Sequence, residues 1–148
     1  ALEKATELGV HAVIPIIARR TVKLNLNHTR LGRVIREASE QSGRMFVTEL
    51  FSPMSFEAAI GHAKAHELNI FFDLSGEPRV SVGDAREVGV FIGPEGGWDS
   101  TELAIAKREG FKIQKLSPFT LRAETAAIVG VFSLLSLYFA NHSSTLYT

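Results

Sequence analysis

The chain has 148 residues, the length of one ordinary domain, with 45% hydrophobic and 22% charged side chains, a composition that supports a globular core. It contains no cysteine, which excludes disulfides, thiolate nucleophiles and Cys-based zinc or iron–sulfur sites. The formal net charge is zero, so overall charge alone gives no argument for a nucleic-acid partner.

The opening residues 1–8 read as a helix stopped by Gly9, and Glu3, Lys4 and Glu7 break any signal-peptide apolar run. The chain begins without Met and inside this helix, as a piece of a longer protein would. Val10–Ile17 is an apolar, β-branched run of strand length. Asn27 or Thr29 can cap a helix running to about Ser42, with Leu31, Val34, Ile35 and Ala38 as its apolar stripe and Gly43 at its end. Ser55 can cap another helix reaching about Ala65. Leu68–Leu74 and Val88–Ile92 are short apolar runs without alternation, the pattern of strands covered on both faces. Asp99 and Glu102 form a capping-box spacing ahead of a helix from about Ser100 to Glu109, stopped by Gly110. Ile113–Leu116 predicts a further strand and residues 123–140 a last helix. The apolar run Ala126–Ala140, interrupted by Ser133 and Ser136, is short of the ~20 residues of a membrane span and reads as a buried helix. Residues 141–148 read as a tail. Alternating strands and helices predict an α/β fold with a mostly parallel sheet, and place ligand loops beyond the carboxyl ends of the strands.

Charge is unevenly spread. Between Arg19 and Arg44 seven basic residues (Arg19, Arg20, Lys23, Arg30, Arg33, Arg36, Arg44) face two acidic ones (Glu37, Glu40). Such a segment can neutralise phosphates, or can simply be a solvated helix face. His62 and His66 are four apart on a predicted helix; an exposed pair is the reading, and no metal is expected.

Two strand-to-helix loops carry the chemistry. Gly93-Pro94-Glu95-Gly96-Gly97 removes side chains where backbone approaches a ligand closely or where φ is positive; a tight structural turn is the other reading. It matches neither a phosphate loop ending in Gly-Lys-Ser/Thr nor a Rossmann glycine pattern. Leu116–Leu121 leads into Arg122, Ala123 and Glu124 at the start of a very apolar helix. Arg122 and Glu124 could be an ordinary helix-start charge pair.

The two loops together, FIGPEGGW followed by LSPFTLRAETA, closely resemble the 16S ribosomal RNA uridine-N3 methyltransferases (ribosomal small-subunit methyltransferase E) of the SPOUT superfamily. Lys4–Val10, the Arg20 region with Val22-Lys23-Leu24, and Glu40–Arg44 resemble further blocks of this family in the same order, so the likeness spans residues 2–140. It implies a SPOUT α/β domain over residues 1–140 with a carboxyl-terminal trefoil knot. It also implies a preceding PUA-like barrel absent from this chain, a cytoplasmic homodimer, and 16S ribosomal RNA of the small subunit as substrate. S-adenosylmethionine would lie against Leu74, Ile92, Gly93, Pro94, Glu95, Gly96, Gly97, Leu116, Ser117 and Leu121. Arg122 would stabilise charge developing on the uracil, and Glu124 would accept its proton or orient Arg122. Lys4, Arg20, Gln41 and Arg44 would face RNA. The chain departs from the family pattern at Ser117 (for glycine), Phe119 (for arginine), Thr120 (for an aliphatic residue) and Trp98 (for Phe or Leu). The alternatives are another SPOUT RNA methyltransferase, acting on transfer RNA or a ribose 2′-hydroxyl, a non-catalytic ribosome-assembly module, or a flavodoxin-like nucleotide binder.

Overall fold

A computed structural model describes residues 1–22 and 26–142, with backbone only for Asn141 and His142. Lys23, Leu24 and residues 143–148 lie outside the described residues. The element order is α1 (Leu2–Glu7), β1 (Ala12–Val13), β2 (Ile16–Ile17), α2 (His28–Gln41), β3 (Glu49–Leu50), β4 (Met54–Ser55), α3 (Phe56–Ala63), β5 (Leu68–Glu77), β6 (Val88–Ile92), α4 (Ser100–Arg108), β7 (Lys112–Gln114) and α5 (Ala123–His142). All the described strand pairings are parallel.

The helix ends follow local chemistry. Asn27 Oδ1 accepts from Arg30 N–H at 3.0 Å and Ser55 Oγ from Ala58 N–H at 3.2 Å, each capping the helix it precedes. Asp99 and Glu102 complete a reciprocal capping box on α4. Gly9, Gly43 and Gly110 each stand just past a helix with positive φ, as predicted.

The predicted strand Val10–Ile17 is divided. β1 pairs with β3 and β2 with β4, separated by Ile14 and Pro15. Pro15 and, on the partner segment, Pro53 lack an N–H, so neither can donate to a continuous ladder. The partner strands β3 and β4 are two residues each and have no periodicity that sequence could reveal.

The second sheet has the order β6-β5-β7. Central β5 is covered on both faces, which is why its sequence does not alternate. On one face Phe71 meets Phe91, Trp98 and Phe56, with ring centroids 5.9, 4.4 and 6.3 Å away. On the other, Ile70 and Phe72 pack with Val82 and Leu134 of α5. β5 also runs three residues beyond its predicted end. Gly76 lies on the β7 backbone so closely that a Cβ there would sit 2.6 Å from atoms of Ile113 and Gln114. Glu77 O then accepts from Lys115 N–H at 2.8 Å.

α5 corrects an expectation. It is apolar on every side, yet only one strip is covered: Gly130, Val131 and Leu134 are buried, while Phe132 and Phe139 are 59% and 53% exposed. Gly130 brings the helix onto the sheet, since a Cβ there would lie within 3.1 Å of three Phe72 ring atoms. α5 also extends to His142, past the predicted boundary at residue 140.

Candidate active site

The parallel strands β6 and β7 end level with Phe72 of β5, and the segments after them line one open cleft with residues of β5. From β5 come Phe72, Asp73 and Leu74; after β6 come Ile92, Gly93, Pro94, Glu95, Gly97 and Trp98; after β7 come Leu116, Ser117, Phe119, Thr120 and Leu121, followed by Ala123 and Ala126 of α5. Nine of the ten residues expected to hold the cofactor therefore line the cleft; Gly96 does not. Asp73, Phe72, Trp98, Phe119 and Thr120 join them without having been singled out as contacts. Phe72 and Trp98 gave no signal in sequence because they look like ordinary core residues.

The glycine loop is built on Trp98. The indole is buried, and its Nε1–H donates to Phe72 O at 3.1 Å, tying the loop to the end of β5. Gly93 fits this packing closely: a Cβ there would lie 3.0 Å from Trp98 Nε1, so the indole would have to give way. Gly97 has φ +69° and closes a turn through its N–H to Pro94 O at 2.8 Å, a conformation costly for any residue with a Cβ. Asp99 then begins α4. Its carboxyl is held below the usual carboxylate range, first by the backbone hydrogen bond from Thr101 and further by Arg19 and Arg20 nearby.

The charges lining the cleft are of one sign. Among the described residues Asp73 and Glu95 are its only ionisable side chains, and no Lys, Arg or His lines it. Asp73 Oδ1 accepts from Ser75 N–H at 2.9 Å and Ser75 Oγ–H at 2.6 Å. A phosphate would meet two carboxylates without a cation to balance it; a positively charged or neutral ligand would not.

Arg122 and Glu124 are exposed at the amino end of α5, next to the cleft residues Leu121 and Ala123. Neither side chain forms a hydrogen bond or ion pair with another described residue. The residues expected to face RNA are dispersed. Lys4 is exposed and paired with Glu7 at 2.8 Å, and that hydrogen bond first of all raises its pKa. Gln41 is exposed at the end of α2. Arg20 turns its guanidinium onto Gly96 O at 3.0 Å. Arg44 departs from the expectation. Its guanidinium donates to Thr6 O, to Thr48 Oγ1 at 3.0 Å and to Val10 O at 3.2 Å, and sits 4.1 Å from the Phe46 ring centroid. Those acceptors have it joining α1 to the segment before β3. Arg30, Arg33 and Arg36 of α2 are exposed and unpaired among the described residues. His62 and His66 meet edge-on at 6.1 Å, and among the described residues no three His, Asp or Glu gather into a metal-binding group.

Residues 1–135 match the RNA methyltransferase domain family. The chain belongs to that family. It is 33% identical over 138 residues to the ribosomal RNA small subunit methyltransferase E of Aquifex aeolicus, covering 90% of this chain and 60% of that protein. The Rickettsia conorii protein of the same name is 32% identical over 145 residues, covering 88% and 56%. Among solved structures, the Neisseria gonorrhoeae ribosomal RNA small subunit methyltransferase E bound to S-adenosyl methionine superposes with a TM-score of 0.78 at 29% identity, covering 93% of this chain and 59% of that one. A Legionella pneumophila methyltransferase in complex with the cofactor SAM gives 0.81 at 28% identity, with 91% and 59% covered. The chain thus spans about three-fifths of the length of the relatives it matches. The resemblance carried by the two loops and the parallel α/β architecture are both borne out.

Proposed function

We propose that this domain binds S-adenosylmethionine in the cleft and methylates N3 of a uridine in 16S ribosomal RNA, a cytoplasmic reaction on the small subunit. The observation that carries the reading is the cleft's chemistry: apolar walls from Leu74, Ile92, Leu116 and Leu121, a glycine-rich edge, two carboxylates and, among the described residues, no cation. Such a lining suits a nucleoside bearing a positive sulfonium and disfavours a nucleotide bearing phosphates. The family membership and the solved relatives with SAM bound support it.

When bound, the cofactor supplies an electrophilic methyl group on a sulfonium. The acceptor N3 carries a proton and is a poor nucleophile until that proton leaves. Glu124, exposed and unpaired one residue beyond the cleft lining, is suited to accept it or to orient Arg122. Arg122, equally uncommitted, is suited to neutralise the charge that deprotonation spreads over the uracil oxygens. RNA would approach over the exposed arginines of α2 and over Lys4 and Gln41. The carboxyl-terminal part would follow the knotted path of the family. The uncovered apolar side of α5 supports a second copy of the chain as its partner, because a helix apolar all round is stable in water only when covered.

Calorimetric titration with S-adenosylmethionine and, separately, with ATP tests the reading. Micromolar binding of the former with none of the latter is expected. Tighter binding of ATP would overturn it.

A further inference from the structure

The glycine loop is held from behind by a turn belonging to the amino-terminal half of the chain. Residues 18–21 close on themselves: Thr21 N–H donates to Ala18 O, and Ala18 N–H to Thr21 Oγ1, both at 3.0 Å. The turn is pinned to the start of α4 by Glu102, which is 1% exposed. Its carboxylate accepts from Asp99 N–H at 2.9 Å, completing the capping box, and from Arg19 N–H at 2.8 Å, although Arg19 lies 83 positions away in sequence. Arg19 also reaches Asp99 Oδ1 at 3.7 Å. Thus anchored, the turn presents Arg20 to the loop, and Arg20 Nη1–H donates to Gly96 O at 3.0 Å. A Cβ on Gly96 would touch the Arg20 side chain at 3.4 Å. Gly96 does not line the cleft, but Glu95 and Gly97 on either side of it do. Arg20 therefore grips the back of a loop whose front forms the cofactor wall.

We infer that Arg20 is a positioning residue that fixes the Pro94–Gly97 backbone for the cofactor. A loop with two adjacent glycines is conformationally free unless fastened, and any freedom lost on binding weakens the complex. Fastening the loop beforehand removes that loss. The family resemblance places Arg20 facing RNA, and the sequence carries no mark of its contact with the loop. The inference rests on the reading that the cleft takes S-adenosylmethionine.

The test titrates S-adenosylhomocysteine into the wild-type chain, Arg20→Ala and Arg20→Lys by calorimetry, with ligand-free thermal unfolding of each. Arg20→Ala is expected to bind about tenfold more weakly, as for loss of one charge-assisted hydrogen bond. Its Tm should stay within about 2 °C of wild type, as for a surface substitution. Arg20→Lys, which keeps a cationic donor, should recover most of the affinity. Unchanged affinity in Arg20→Ala would overturn the inference. So would equal losses in both variants matched by a fall in Tm, which would make the contact a general structural one. No binding by the folded wild-type chain would instead sink the cofactor reading, and the inference with it.

Discussion

The Gly93–Gly97 and Leu116–Leu121 segments line the same cleft and both follow a parallel strand, yet they are held very differently. The first has Trp98 hydrogen-bonded beneath it, Arg20 behind it and a capping box at its exit. The second has Leu116 packed against the Ile70 and Phe72 side of the core at its start and beyond that a local turn: Ser117 Oγ accepts from Phe119 N–H at 3.0 Å, and Phe119 is 76% exposed. The contrast predicts different consequences of changing the two. A wall ordered before its ligand arrives loses less freedom on binding than one fastened loosely. Changes around the first segment should therefore cost stability or cofactor affinity. Changes at the exposed Arg122 and Glu124, just past the second, should cost turnover and leave both alone.

The largest effect expected is that of Trp98→Ala. It removes a buried indole packed 4.4 Å from Phe71 and 5.6 Å from Phe56, together with its hydrogen bond to the Phe72 carbonyl. A loss of about 3–5 kcal/mol is expected. Denaturant unfolding measures it, and a loss under 1 kcal/mol would show that the first segment does not depend on its base.

Arg122→Ala sharpens the comparison from the other side. The side chain is exposed and forms no hydrogen bond or ion pair among the described residues. Stability and S-adenosylmethionine affinity should stay near wild type while methyl transfer to 16S ribosomal RNA falls about 100-fold or more, the scale of losing one group that stabilises developing charge. Unaltered transfer would remove Arg122 from the chemistry.

These two residues also show what sequence can and cannot carry. The strands β5 and β6, the capped helices and the two loop motifs were legible because each is a local pattern: an apolar run, a cap, a glycine cluster. Eight of the expected cleft residues lie in the two loop motifs, and with Leu74 were placed there by the family resemblance the motifs carry. Trp98 and Phe72 could not be assigned to the site, because their burial depends on contacts between segments far apart in sequence. The division of the first predicted strand was equally hidden, since β3 and β4 are too short to show periodicity. The apolar run in α5 suggested burial, but which side the chain itself covers is set by Gly130 meeting Phe72, and no helical pattern reports that contact.

Gly130→Ala probes that contact at an intermediate scale. The substitution gains about 1 kcal/mol of helix propensity. Against this, the new methyl group would enter the Phe72 ring, and overpacking costs about 1–3 kcal/mol. Net destabilisation of order 1 kcal/mol is expected, with weaker cofactor binding because Phe72 lines the cleft. Net stabilisation with unchanged affinity would mean the ring has room to turn aside, and that α5 does not set the cleft's depth.

The smallest effect concerns Asp99, at the exit of the ordered segment. Its folded-state pKa is depressed below the ordinary 3.8, chiefly by the backbone N–H of Thr101. A depressed carboxylate contributes stability that is present above its unfolded pKa and lost as pH falls through the folded one. The group is fully exposed, so solvent screens the contribution and it stays small. Asn caps helices about as well as Asp, so Asp99→Asn keeps the cap and removes only the ionisation. The variant should be slightly less stable than wild type at neutral pH, and the two unfolding curves should converge as pH falls below the ordinary carboxylate range. Adding salt should narrow the neutral-pH gap, since Arg19 at 3.7 Å and the nearby Arg20 supply part of the shift through charge. A gap that ignores both pH and salt would mean that Asp99 acts through cap geometry alone, and that the order of the glycine loop's exit owes nothing to its charge.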